Sequence, residues 1–276
     1  MAVEDTNLVL TKRGWLKYTD IVRGDETLGR DLEQGTLLWT EILDVEASRG
    51  SVRTLKFPSM RITSTLDHPW IARVPSGRAN IATDKSVMLA DFSSRTKLLL
   101  SGWYENEGSI DANVARLYAL MVAGRAEVQR FGREHTIAVP QTDNNTYLKR
   151  ILYGIDYRRY GAYGSYNFTI SGPPAKAVIK LLNKSVSDNV WNMGAYERQE
   201  FIDTFVPQDK HLDIGVALAA FLNDRIFHDG RFDYEEMVLG NYTVINAREP
   251  IDLFQLTTTL GSWTMQQEGN ILLTGG

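Results

Sequence analysis

The chain has no cysteine. That excludes disulfides, thiolate metal sites and cysteine nucleophiles together, and it agrees with a cytoplasmic setting, where disulfides are rare. Histidine is nearly as scarce, with 4 among 276 residues, and there are only 8 prolines. No run reaches the roughly 18 apolar residues that a membrane-spanning helix needs. The first residues, Met1 to Leu10, are acidic and lack the basic start of a secretory signal. A dominant charge is missing too. The formal net charge is −4, so no overall field draws the chain to nucleic acid or to a membrane surface. Apolar and aromatic residues are plentiful: the chain is 43% hydrophobic, with 6 Trp, 12 Tyr and 10 Phe. It can bury a full core, and its length suits one large domain or two ordinary ones.

Residues 3–100 alternate in short runs broken by turns, as an all-β unit does. Asn7 to Thr11 leads into the turn Lys12-Arg13-Gly14, and Leu37 to Val45 is a long β-type run. Val52 to Phe57 and Met60 to Ile62 alternate, and Thr96 to Leu100 closes the section. The character changes near residue 106. Val114, Leu117, Leu120, Met121 and Val128 recur at helical spacing over Asp111 to Arg130, with Asp111 as N-cap. A second helix is expected over Asp143 to Leu152, a hairpin over Tyr157 to Ile170, and a helix opened by Pro173-Pro174. Residues 195–206 and 210–227 read as helical. From Tyr242 the β pattern returns, with strands expected over Tyr242 to Asn246, Asp252 to Thr259 and Ile271 to Thr274. The organisation is one β domain, split in sequence, with an α+β domain inserted at a surface loop.

One stretch carries reactive groups. Arg61 to Trp70 ends an alternating run in Thr65, Asp67 and His68 and closes at Pro69. Thr65 and His68 are three apart, so a turn must bring their side chains together, and Asp67 and Pro69 favour one. Alone, a Thr-x-x-His pattern also describes an ordinary surface turn.

Read with the two chain ends, the sequence resembles an intein with an inserted LAGLIDADG-type homing endonuclease domain. Ala2 to Thr11 with Gly14 and Gly24-Asp25 resembles the N-terminal block, and Thr65-Leu66-Asp67-His68-Pro69 the Thr-x-x-His block. Asp252 to Thr257 resembles the penultimate block, and Ile271 to Gly275 the C-terminal one. The resemblance implies a horseshoe-like, mainly β Hint splicing domain over residues 2–105 and 241–276, with the LAGLIDADG-like domain over 106–240. It implies autocatalytic excision with ligation of the flanking exteins in cis, without a cofactor, by a monomer. In that chemistry His68 is the general acid at the scissile nitrogen, with an imidazole near its ordinary pKa. Thr65 donates to the carbonyl oxygen, and Asp67 belongs to the same block. Gln255 stands where relatives often carry Asp, and an amide can orient groups but not ionise.

Both junctions depart from the family. Ala2 stands at the attacking position, where Cys or Ser is usual, and a methyl group cannot attack. Gly276 stands where Asn cyclises, and Gly275 where His commonly precedes it; the block around Ser262-Trp263 also lacks the histidine of many relatives. The implied state is an inactivated splicing element, with Ala2 and Gly276 either replaced residues or a natural variant that skips the first step. On the first reading, restoring Cys or Ser at Ala2 and Asn at Gly276 recovers splicing. The alternatives are a homing endonuclease or DNA-binding module, and a hedgehog-like domain that cleaves at one end only.

In the insert, Leu117 to Arg125 resembles the first LAGLIDADG helix, with Ala115, Ala119 and Ala123 on one face for a close crossing. Leu222 to Gly230 resembles the second. Such helices end in an acid that holds Mg²⁺ at the scissile phosphate. Asp229 supplies one acid, whereas Gly124 at the other position cannot, which implies a degenerate nuclease. The insert also has more acidic than basic residues, a poor balance for double-stranded DNA. Against this, Lys149, Arg150, Arg158 and Arg159 lie among several tyrosines and are the candidate DNA contacts, or else one solvated face.

Overall fold

The computed structural model describes every residue except 58–59, 77–80, 93–95, 132–133, 142–144, 163–164, 206–211, 229–230, 235, 239–241 and 248. The chain forms two compact units: Met1–Tyr104 with Phe221–Gly276, and Glu105–Ala220.

The first unit is built of strands. Its main sheet runs in the order Thr243–Asn246, Arg53–Lys56, Arg61–Ser64, Val3–Glu4, Ile251–Thr258, Leu37–Gly50, Glu26–Arg30, Leu8–Thr11, Ser262–Gln267 and Asn270–Gly275, with Gly14–Lys17 beside Leu8–Thr11. A second sheet orders Glu236–Val238, Lys97–Leu99, Pro69–Ser76 and Ile81–Met88. The short first strand sits between partners distant in sequence, with Val3 opposite both Ser64 and Phe254. Alternation supplies the reason. Val3, Ile62, Trp70, Phe254 and Trp263 share one core and are almost wholly buried. Burying each such side chain contributes about 1.5–3 kcal/mol, so the register that turns all five into this shared core wins over a slip by one residue. Gly29 is required by close approach, since a Cβ there would lie 2.6 Å from the Ser262 carbonyl oxygen.

The second unit is α+β. A four-stranded antiparallel sheet orders Glu127–Phe131, Glu134–Pro140, Ser165–Ile170 and Tyr157–Ala162. Helices cover Ala112–Val122, Asn145–Ile151, Pro173–Leu181, Val186–Val190, Ala195–Thr204 and Ile214–Phe221. The Asp111 carboxylate accepts from the Asn113 N–H at 2.8 Å and caps the first helix.

Three expectations need correction. Val128 lies in a strand, because Gly124 takes a positive φ of 63° and ends the helix before it. The helix expected over 210–227 stops at Phe221: Asp224 is left-handed, at φ 54°, and Arg225–His228 is a strand. The boundary expected at 240 falls inside the β unit, where Glu236–Val238 pairs with Lys97–Leu99. The helical spacing continued past Phe221 by coincidence, and Ile226 and Phe227 suit a strand equally well.

The edges of the insertion are tied together within the β unit. The Gly102 N–H donates to the Phe221 carbonyl at 3.1 Å, and the Tyr104 N–H to the Leu222 carbonyl at 3.0 Å. A short linker can therefore replace residues 105–220 with little closure cost. The shortened chain is expected to keep its near-ultraviolet circular dichroism and a cooperative melt. Loss of both would show that the β unit depends on the insert.

Candidate functional site

The turn from Thr65 to Pro69 joins Arg61–Ser64 to Pro69–Ser76. The His68 N–H donates to the Thr65 carbonyl at 3.2 Å and closes it. Trp70 fixes its inner side, donating from Nε1 to the Ser64 hydroxyl at 3.2 Å and meeting the His68 ring edge-on at 5.4 Å between centroids. His68 and Trp70 are both fully buried.

The amino-terminal arm docks on this turn. The Thr65 N–H donates to the Ala2 carbonyl at 2.9 Å, and the Ala2 N–H donates to Thr65 Oγ1 at 2.9 Å. Thr65 Oγ1 also lies 3.4 Å from the Ala2 oxygen. The Met1 ammonium reaches the Asp67 carboxylate at 3.1 Å. The carboxyl-terminal arm docks on the other end of the same turn. His68 Nε2 is 2.6 Å from Thr274 Oγ1, and that hydroxyl donates to the Pro69 carbonyl at 3.4 Å. Trp263 Nε1–H donates to the Gly275 carbonyl at 3.1 Å, and the Gly276 N–H to the Gly261 carbonyl at 3.1 Å. Thr65, Asp67, His68, Gly275 and Gly276 thus belong to one neighbourhood, assembled from both ends of the chain.

Electrostatics revise the role expected of His68. Burial pushes its pKa down to about 3; the nearby Met1 ammonium lowers it further, and Asp67 acts in the opposite sense. The imidazole is therefore neutral at physiological pH rather than a ready imidazolium. The direction of the bond between His68 Nε2 and the Thr274 hydroxyl is set by the ring tautomer, and the buried Nδ1 has no partner among the described residues. Asp67 is held below the usual carboxylate range, first by the Thr65 hydroxyl and then by the Met1 ammonium.

Ala2 is near the turn through its backbone only. Its methyl joins a small apolar cluster with Val52 and Leu253, whereas Val3 enters the main core with Ile62 and Trp70. Adjacent residues of an extended arm point to opposite faces, so the Ala2 side chain lies on the face away from His68. Gln255 is half-buried opposite Glu46 and makes no hydrogen bond to the turn. Sequence reasoning missed Thr274, Trp263 and Trp70. The only signal for Thr274 was a hydroxyl in the last apolar run before the glycines.

The insert candidates do not form one surface stripe. Lys149 and Arg159 line a pocket of about 240 Å³ with Gln141, Leu148, Leu152, Tyr157 and Phe168. Arg159 also stacks on Tyr166 at 3.7 Å and donates to Gln141 Oε1 at 3.0 Å. Arg150 is instead turned to the Asp203 carbonyl, at 3.1 Å, and Arg158, one strand position from Arg159, faces the opposite side. The small-residue helix Ala112–Val122 packs chiefly against Ala195–Thr204 and Pro173–Leu181 of its own unit, and Arg225–His228 in the second candidate segment is a strand. Asp229 lies outside the described residues. No group of three metal-ligating side chains occurs among the described residues, and Gly124 has no ligand to offer. No helix among them is long and apolar enough to cross a membrane.

No family model matches the chain, and no curated protein matches it. Solved structures that align with it are distant. A splice-inactive variant of the AceL NrdHF class 3 split intein is 10% identical, with 100% of this chain and 97% of that chain covered and a TM-score of 0.41. A mutant Ssp DnaB mini-intein is 10% identical, with 100% and 98% covered and a TM-score of 0.37. A bacterial intein-like domain from Clostridium thermocellum is 9% identical, with 100% and 98% covered and a TM-score of 0.38.

The depressed His68 pKa predicts acid sensitivity. A histidine that stays neutral when folded favours the folded state above its unfolded pKa of about 6.5. That stability is lost as pH falls from there toward the folded value of about 3. Between pH 7 and pH 4.5, urea unfolding of the wild type is expected to lose about 2–3 kcal/mol more than unfolding of His68→Gln. Equal losses would show that His68 titrates normally.

Proposed function

We propose that the chain is an intein-like autoprocessing element acting in cis on the segments that flank it. The observation that carries this reading is the convergence of both chain ends on the Thr65–Pro69 turn. Ala2 is held by Thr65 at 2.9 Å, and Thr274 by His68 at 2.6 Å. Joining two flanks requires their junctions side by side, because a tethered attack replaces a bimolecular one.

The amino-terminal junction lies at position 1 rather than at Ala2. The Ala2 methyl is packed on Val52 and Leu253, while alternation returns position 1 to the face of Val3. The Met1 nitrogen is also the group beside Asp67 and within electrostatic range of His68. The bond to be activated is then the one that would precede Met1. A methionine thioether has no proton to lose and cannot take over an acyl group, so this chain holds a junction in place without a side chain to open it. In a Met1→Cys chain His68 works from the neutral state: it takes the thiol proton as the sulfur attacks the preceding carbonyl, and gives it to the departing nitrogen as that carbon–nitrogen bond breaks. A segment placed before Met1 removes the ammonium, and with it one of the two causes that lower the His68 pKa.

No observation on the described residues favours DNA cleavage by the inserted unit, and that reading is set aside. The test is a fusion with segments on both sides. Met1→Cys is expected to release the amino-terminal segment on addition of a small thiol, and Ala2→Cys is not. His68→Ala in the Met1→Cys background should slow release by about 100-fold or more. A ligated product identifies splicing, and release at one end only identifies the single-cleavage alternative. A folded Met1→Cys fusion that stays intact under thiol overturns the proposal.

A further inference from the structure

We propose that the carboxyl-terminal arm ends in a slot that selects glycine at positions 275 and 276 and excludes asparagine. Its meaning for chemistry rests on the autoprocessing reading, but the slot stands on geometry alone. A Cβ added at Gly276 would collide with the Leu256 carbonyl oxygen and lie 2.6 Å from Trp263 Nε1. A Cβ at Gly275 would lie 2.9 Å from the Pro69 carbonyl oxygen and 3.0 Å from Pro69 Cβ. The first obstacle is backbone of a central strand and a wholly buried indole, neither of which can move aside cheaply.

Recognition in the slot is of main chain only. The Gly275 carbonyl takes the Trp263 indole N–H at 3.1 Å. The Gly276 N–H goes to the Gly261 carbonyl at 3.1 Å, and the Gly276 oxygen accepts from the Thr258 N–H at 3.4 Å. The dipeptide's hydrogen bonds come from fixed groups on the Thr258–Trp263 turn, while the directions in which side chains would project are filled. Such an arrangement reads two glycines by their backbone and rejects larger residues by contact. Position 276 is therefore not an emptied asparagine site. Restoring asparagine there, as the sequence reading suggests, displaces the arm rather than repairing it, and any acyl transfer at this end proceeds without a side chain on residue 276.

The indole N–H of Trp263 reports docking directly. Its amide-type proton resonance, assigned by loss in Trp263→Phe, is expected to be shifted by the hydrogen bond and protected from exchange in the wild type. A chain truncated after Thr274 supplies the folded, undocked reference, and the remaining tryptophan indoles report whether each variant is folded. Gly276→Asn and Gly276→Ala are expected to match the truncated reference, and Gly275→Ala, with the milder clash, to lie between. A Gly276→Asn chain that keeps the wild-type Trp263 resonance and protection overturns the slot. Absence of any cleavage in flanked fusions, with the Trp263 result as expected, counts against the autoprocessing reading and leaves the slot intact.

Discussion

The pairing of Ala2 with Thr65 organises the site. Two backbone groups of Ala2 meet the N–H and hydroxyl of Thr65 at 2.9 Å. Because Thr65 is the first residue of a tight turn, fixing Ala2 there also fixes the Met1 nitrogen beside Asp67. The same turn hands His68 inward to Thr274. Without this pairing the first strand, only Val3–Glu4, would hold little of its own. Two residues of ladder are a weak anchor, so the arm depends on the turn as much as on the sheet.

Burial then sets the chemistry. His68 is enclosed by Trp70 and the carboxyl-terminal strand, and enclosure costs the charged imidazolium its hydration. The ring stays neutral, with one nitrogen bonded and the other without a partner among the described residues. Asp67 is the counterpart at the rim: exposed enough to remain charged, and held ionised by the Thr65 hydroxyl and the Met1 ammonium. Two titratable groups adjacent in sequence are thus set in different states, His68 chiefly by burial and Asp67 chiefly by the Thr65 hydroxyl.

The insert illustrates how helical spacing misleads. Ala115, Ala119 and Ala123 form a small-residue face as the sequence suggests, but that face is used in packing on other helices of the same unit. The basic residues around Tyr157 to Tyr166 are divided between a pocket, a helix contact and the opposite face of the sheet. A cluster in sequence became three separate settings because strand neighbours point apart and helix neighbours diverge by about 100°.

The sequence by itself determined the split β unit, the turn at Thr65 to Pro69 and the identity of its reactive groups. Alternation and turn residues act over a few positions, so they can be read locally. It also determined that neither Ala2 nor Gly276 carries a reactive side chain. Tertiary structure decided the rest. Which face Ala2 presents depends on register against Ser64 and Phe254, residues far away in the chain. The state of His68 depends on Trp70 and Thr274 closing over it. The meaning of Gly276 depends on Leu256 and Trp263 occupying the space a side chain would need. Each of these is a contact between segments brought together by the fold, and spacing along a chain carries no information about the volume left between them.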